Sequence, residues 1–250
     1  VIKHQLAAQL YTVRNELKAD FESVLKELSR MGWAAVQIDG LHGNSARDIS
    51  ALMRELGLKT AGMHVGLERM KNDLDAVLEE ADLFGTRDFI CHSLPDGLQN
   101  PEGYRSVKKD LLEVAERVAG TGYRVGYHNH DFEFHTSIDG KFALDYLLDD
   151  PAIHAEIDTY WVLKGGQDPL SFIQKYAFRM PILHLKDMTD DDRQTFAEIG
   201  TGVIDFAPIL RWGLQSGVEW FAVEQDYCPG RPLDSLALSL ENLLKLEEQL

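Results

Sequence analysis

Apolar positions along the chain follow two periods in turn. Eight short runs rich in β-branched or apolar residues, at 5–11, 34–38, 59–63, 88–92, 124–128, 155–158, 182–185 and 220–224, read as strands. Between them the apolar residues recur at helical spacing. In 21–31, Phe21, Val24, Leu25 and Leu28 fall on one face at i, i+3, i+4 and i+7. In 110–118, Leu111, Val114, Ala115 and Val118 repeat that stripe, and a last helix is expected over 233–250. Gly32, Gly57, Gly122 and Gly217 close helical stretches and lead within a few residues into the next strand, as an αβ turn with positive φ requires. Strands alternating with helices predict a parallel sheet. Eight such units in 250 residues, with no linker between them, predict one α/β domain over 1–250, a (β/α)8 barrel.

A barrel of this kind places its chemistry at the C-terminal ends of its strands, and those ends are rich in ligating side chains. The third strand leads to His64 and the fourth to His92. The fifth continues through His128, Asn129, His130 and Asp131 to Glu133. The sixth ends at Asp158, the seventh carries His184 and Lys186, and the eighth ends at Glu224. His154 opens the sixth strand and is assigned to the opposite end. A single His at a strand end is most often a hydrogen-bonded structural residue, and a single Asp a helix cap. Several in successive strands differ, because burying unpaired charges together is costly and a cation offsets that cost. Asp158, His184 and Glu224 are therefore expected to hold one divalent metal ion. An oxygen-rich set with an imidazole suits Mn2+, Mg2+, Co2+ or Zn2+. Glu133 is expected as the fourth ligand, since anionic oxygen suits a hard cation, with His128 as its close competitor. His128 and His130 share strand parity, and whichever stays off the metal is free for acid–base work. Glu224 and Lys186 complete the expected catalytic set, although Lys186 could equally pair with Asp187 or Asp158. Gln9, Tyr11, His64, His92 and Trp161 are expected to bind substrate, with Gln37 a further wall residue and Trp161 an aromatic platform. Gly200 and Gly202 read as a simple turn before the last strand rather than a phosphate nest.

Charge and cysteine usage narrow the partners. Twenty-five Lys+Arg against 41 Asp+Glu leave a net charge of −16. That disfavours nucleic acid, whose phosphates need a basic face, and anionic membrane surfaces. No run reaches the ~18 apolar residues of a membrane span. The start, Val1-Ile2-Lys3-His4-Gln5, lacks a signal-peptide layout. Cys91 and Cys228 have no zinc-type spacing and read as two buried free thiols in a reducing compartment, so a cytoplasmic location is expected. A homo-oligomer is compatible with these features, but no interface is legible.

Taken with the strand-end residues, these motifs resemble the xylose isomerase-like sugar isomerase/epimerase superfamily of TIM barrels. The resemblance runs from Gln9-Leu10-Tyr11-Thr12-Val13-Arg14 to the terminal helix. The segments 126–134, 183–187, 199–206 and 223–226 look like those of inosose dehydratases and of enzymes acting on 3-keto-glycosides. The resemblance implies a metal site drawn from the last four strands, usually as Glu, Asp, His and Glu. Asp158, His184 and Glu224 match three of these; where many relatives carry the strand-5 Glu, this chain has His128. It also implies a small carbohydrate substrate and proton transfer beside a metal-held carbonyl through an enediolate. The expected function is a divalent-metal-dependent isomerase or epimerase of a sugar or keto-sugar, with manganese among the suitable metals. The alternative is a lyase or dehydratase of the same fold, in which the enediolate expels a β-leaving group. A non-catalytic sugar-binding barrel is a third reading. The superfamily's DNA-cleaving branch is disfavoured by the net charge.

Overall fold

The computed structural model describes residues 2–250. Eight strands close into one parallel barrel: β1 (Leu6–Gln9), β2 (Ala35–Ile38), β3 (Lys59–Val65), β4 (Asp88–Cys91), β5 (Arg124–His128), β6 (His154–Asp158), β7 (Ile182–Leu185) and β8 (Trp220–Val223). β8 returns to β1 with Leu6 opposite Phe221 and Ala8 opposite Val223, so the sheet has no free edge. The strands lie where the apolar runs predict, with boundaries shifted by a residue or two. The first is the most shortened. After Gln9 the chain turns into a 3-10 helix over Leu10–Val13, capped by the Gln9 side chain, which accepts from the Tyr11 amide at 3.0 Å.

The helices follow from their stripes and caps. Phe21–Met31 buries Phe21, Val24, Leu25 and Leu28; Asp20 caps it by accepting from the Ser23 amide, and Gly32 ends it in a left-handed conformation. The stripe at 110–118 is the second half of a longer helix, Pro101–Arg117, which the Asn100 cap and Pro101 start earlier. The last helix spans Pro232–Glu247. Among the described residues no helix is long and apolar enough to cross a membrane. Both cysteines are free; Cys91 is buried, but Cys228 is only half-buried, on the segment that leaves β8.

The two-residue period of the strands layers the barrel interior. Its floor is small and apolar, an inner cluster of Ala7, Ala35, Ala61, Ile90, Ile182 and Ala222 set apart from the main core between sheet and helices. Two residues further on, the same face turns polar on most strands: Gln9, Gln37, His92, His184 and Glu224. Strand β3 reaches this level by a different count. Strict alternation from Ala61 would turn Met63 inward and His64 outward. The β2–β3 register shifts between Val36 and Ile38, and Gly62 takes φ 101°. His64 then stands opposite inward-facing Ile90, while Met63 packs into the outer core. One bulge residue thus carries an imidazole to the inner face.

At the opposite end, Arg124 donates to both Asp88 oxygens at 2.7 Å and also pairs with Glu219. A cavity of about 560 Å³ lies there, lined by side chains such as Lys59, Asp88, Arg124 and Glu219. It is larger than the cavity in the C-terminal mouth, but among the described residues no group of three or more metal-ligating side chains lies there.

Candidate metal centre and active site

Four side chains from β5, β6, β7 and the end of β8 meet in the mouth: His128, Asp158, His184 and Glu224, all buried, with one ligating atom each inside a 4.8 Å group. Local structure aims each of them. Asp158 ends β6 and caps the helix Thr159–Lys164, its Oδ1 accepting from the Trp161 amide at 3.1 Å. Its backbone amide donates to Asn129 Oδ1 at 2.9 Å. With Oδ1 engaged in the cap, Oδ2 faces the cluster. A cap and a ligand, alternatives at the level of sequence, are here the two oxygens of one carboxylate. His128 Nδ1 lies 3.2 Å from the His92 carbonyl and donates to it, which leaves the Nε2 lone pair toward Asp158.

The separations fit an ion. His128 Nε2 is 3.4 Å from Asp158 Oδ2, and His184 Nδ1 is 3.7 Å from Asp158 Oδ2 and 3.4 Å from Glu224 Oε2. These are long for hydrogen bonds. Ligand atoms about 2.0–2.2 Å from a four-coordinate ion stand roughly 3.3–3.6 Å apart. His184 Nδ1 is moreover buried without a hydrogen-bond partner. A buried ring nitrogen without a partner, set among carboxylates, is a position that a divalent cation satisfies.

Glu133, expected as the fourth ligand, is placed elsewhere. It sits in a 3-10 turn, Phe132–Phe134, where Oε1 accepts from the Tyr127 hydroxyl at 2.7 Å and Oε2 from the His130 amide at 2.9 Å. Tyr127 belongs to the outer core, on the face of β5 opposite His128. The loop after β5 folds back outside the barrel rather than over the mouth, and His128 stands fourth in the group with Asp158, His184 and Glu224. Burial holds the Glu133 carboxyl up at about 7 against its two donors.

Lys186, one residue beyond β7, is 1% exposed and lies 3.1 Å from Asp158, 2.8 Å from Glu224 and 3.0 Å from Asp226. Burial alone would discharge it, but these carboxylates hold its pKa well above the ordinary lysine value. Burial likewise opposes charge on Asp158 and Glu224, and Lys186 with the neighbouring imidazoles outweighs it, so both stay ionised. Asp226 is raised to about 6 by burial despite Lys186. Burial keeps His92, His128 and His130 below the usual histidine range. Asp187, which the sequence offers as a partner for Lys186, faces the other way. Its carboxylate accepts from the amides of Met188, Gly200, Gly202 and Ile204 at 2.8–3.1 Å. The glycine turn is thus an anion nest, filled by the chain's own Asp187.

A cavity of about 460 Å³ opens above the cluster. Tyr11, His64, His92, His128, His130, Lys186 and Glu224 line it, together with Arg14, Asp39, His42 and Asp226. Gln9 does not line it: it is fully buried beneath, bonded to Gln37 and His64. Trp161 stands behind the wall, with its ring 5.2 Å from His130 and 5.4 Å from the Lys186 ammonium. Sequence reasoning missed the cavity residues Arg14, Asp39 and His42, and also Glu156 and Asp226. Glu156 and Asp226 each share parity with a nominated ligand two positions away, Asp158 or Glu224, and that period was the available signal; Arg14, Asp39 and His42 lie beyond β1 and β2, where strand parity gives no such signal.

Comparison with known proteins places the fold. Residues 25–245 match the family model described as xylose isomerase-like TIM barrel. The inosose dehydratase of Geobacillus kaustophilus (strain HTA426) is 23% identical, over 83% of this chain and 80% of that protein. A sugar phosphate isomerase/epimerase from Parabacteroides distasonis ATCC 8503 superposes with a TM-score of 0.81 at 20% identity, covering 96% of this chain and 93% of the other. The IOLI protein, solved with a binding zinc atom, superposes with a TM-score of 0.75 at 12% identity over 98% of both chains. From a closed parallel eight-stranded barrel and a match over most of its length, the chain belongs to the xylose isomerase-like TIM barrel family.

Proposed function

We propose that this protein is a divalent-metal-dependent lyase that removes water from a polyhydroxylated cyclic ketone of the inosose type, with His128, Asp158, His184 and Glu224 as metal ligands. The observation that carries the reading is the ligand group: two carboxylates and two imidazole nitrogens spaced for an ion at the base of a polar cavity. Dehydration is preferred to isomerisation for two reasons. The similarity to inosose dehydratases extends over most of both chains. With His128 on β5, the second carboxylate base of a two-glutamate epimerisation is also missing.

When bound, the metal supplies Lewis acidity toward the ketone and neighbouring hydroxyl oxygens, which acidifies the carbon beside the carbonyl. The remaining work falls to the chain. The Lys186 ammonium sets a fixed positive charge beside the developing oxyanion. His130 lines the cavity, its buried Nδ1 without a hydrogen-bond partner, and Asp226 lines it from the β8 side. One of these two removes the proton beside the carbonyl, leaving its electron pair in an enediolate. The other protonates the β-hydroxyl. The pair then forms the carbon–carbon double bond as the C–O bond breaks and water leaves.

The test is incubation with an inosose and, separately, a 3-keto-glucoside in D2O with Mn2+ or Zn2+, followed by NMR. Loss of water or aglycone is expected. Deuterium beside the carbonyl together with an epimeric product, and no elimination, would establish an isomerase or epimerase instead. Replacing His130 with Asn should lower turnover by about 10²–10⁴-fold, the range for a lost acid–base group, without changing metal affinity; equal loss of metal affinity would remove His130 from that role.

A further inference from the structure

Beneath the metal group lies a second cluster of ligating side chains, His64, Glu156 and His184. Its spacing differs from that of the first. Glu156 Oε1 is 2.6 Å from His64 Nε2 and 3.0 Å from His184 Nε2. Those are hydrogen-bond lengths, and no room remains for an ion between the atoms. His184 therefore faces two unlike surroundings. Its Nδ1 points to the gap of the metal group without a partner, and its Nε2 points to a closed hydrogen-bond network.

The network has a direction, and one group sets it. The Tyr11 amide can only donate, and it donates to Gln9 Oε1 at 3.0 Å. The other end of the Gln9 amide is then its NH2. That nitrogen reaches Gln37 Oε1 at 2.8 Å and His64 Nδ1 at 3.2 Å, so both of those atoms accept. With its oxygen assigned, Gln37 presents Nε2 to Glu156 Oε2 at 2.6 Å. With Nδ1 accepting, His64 carries its proton on Nε2 and donates to Glu156 Oε1. His184 Nε2 stands 2.6 Å from Gln37 Oε1, already assigned as an acceptor, and 3.0 Å from Glu156 Oε1, so it must carry a proton. Any flip along this path sets donor against donor or acceptor against acceptor. Gln9, Gln37, Glu156 and His184 are fully buried, so water cannot repair a flip.

We propose that the Tyr11 amide at the end of β1, acting through Gln9, Gln37 and Glu156, fixes His184 with its proton on Nε2 and its Nδ1 presented to the metal group. Gln9, Gln37 and Glu156 are then positioning residues for the metal, although the first two come from β1 and β2, outside the four strands that carry the ligand group, and Gln9 lines no part of the cavity. The inference rests on the metal reading above and deepens it. A carboxylate behind a ligating imidazole holds the ring and raises its basicity, and here an amide relay selects which ring nitrogen that carboxylate receives.

Two measurements test it. First, long-range 15N–1H NMR of histidine-labelled protein loaded with Zn2+ should show His184 protonated on Nε2 and bound through Nδ1. Binding through Nε2 would overturn the proposal. Second, Zn2+ affinity should be measured by competition with a chelator. Glu156→Gln should weaken binding by about 10–100-fold. Gln9→Met, which keeps the volume and removes the polarity, should weaken it in the same direction, while Gln9→Glu should restore only the Tyr11 contact and not the affinity. Folded Glu156→Gln and Gln9→Met proteins with wild-type affinity would refute the relay. Failure of the wild type to bind Zn2+ or Mn2+ would instead refute the metal reading. In that case the Nε2 proton of metal-free His184 still decides the relay: a ring lacking it refutes the network's direction. If a variant does not fold, the wild-type NMR result stands as the test.

Discussion

At the scale of single residues, the mouth of the barrel separates groups by what each atom can still bond. Asp158 gives one oxygen to a helix cap and the other to the cluster. Glu133 gives both oxygens to donors outside the barrel, which removes it from the ligand set. Its environment also makes a prediction. The folded carboxyl titrates near 7, whereas in the unfolded chain it titrates near 4.5. Between those values the native state holds the extra proton, so this residue's contribution to stability is full below the unfolded value and is lost as pH rises through about 7. Glu133→Gln should therefore flatten the dependence of the urea midpoint on pH across that window; an unchanged slope would show that Glu133 ionises normally. For Glu224, proposed as a ligand, replacement by Gln should abolish turnover and weaken metal binding by more than the about 10–100-fold expected for an outer partner. A Glu224→Gln enzyme with wild-type activity would sink the site assignment.

At the scale of elements, the site depends on where strands end and on one irregularity. Gly62 lets β3 bulge and brings His64 beside Glu156. A Cβ added there would lie 2.6 Å from Ile182 Cδ1, on a backbone with φ 101°. Gly62→Ala should cost about 1–3 kcal/mol of stability, read by urea unfolding, through left-handed strain and crowding of the barrel floor. A substitution with no effect would mean that the bulge does not need glycine. Period-two counting alone could not place His64, because a bulge changes parity without changing composition. Where strands are regular the count works: Ala222 to Glu224 and Ile182 to His184 carry the inner face from apolar floor to ligand in one step.

At the scale of the molecule, an ion held as proposed would couple the last four strands of the barrel to one another. A cation that binds only the folded chain stabilises it by about 2.7 kcal/mol at a hundred times its Kd. Adding Mn2+ or Zn2+ should therefore raise the midpoint of thermal unfolding, and a chelator should reverse the rise. No shift at millimolar metal would argue for the non-catalytic barrel. The sequence by itself determined the alternation of strands and helices, the eight strands of the barrel, and the concentration of His, Asp and Glu at one end of it. All of these follow from local periods, 2 for strands and 3.6 for helices, that need no knowledge of distant residues. Only the tertiary structure decided that His128 rather than Glu133 joins Asp158, His184 and Glu224, that Gln9 supports the site from below instead of lining it, and that Glu156 lies behind His184. Those outcomes turn on which atoms from strands far apart in the chain are left without partners once the barrel closes, and a one-dimensional pattern carries no record of those distances.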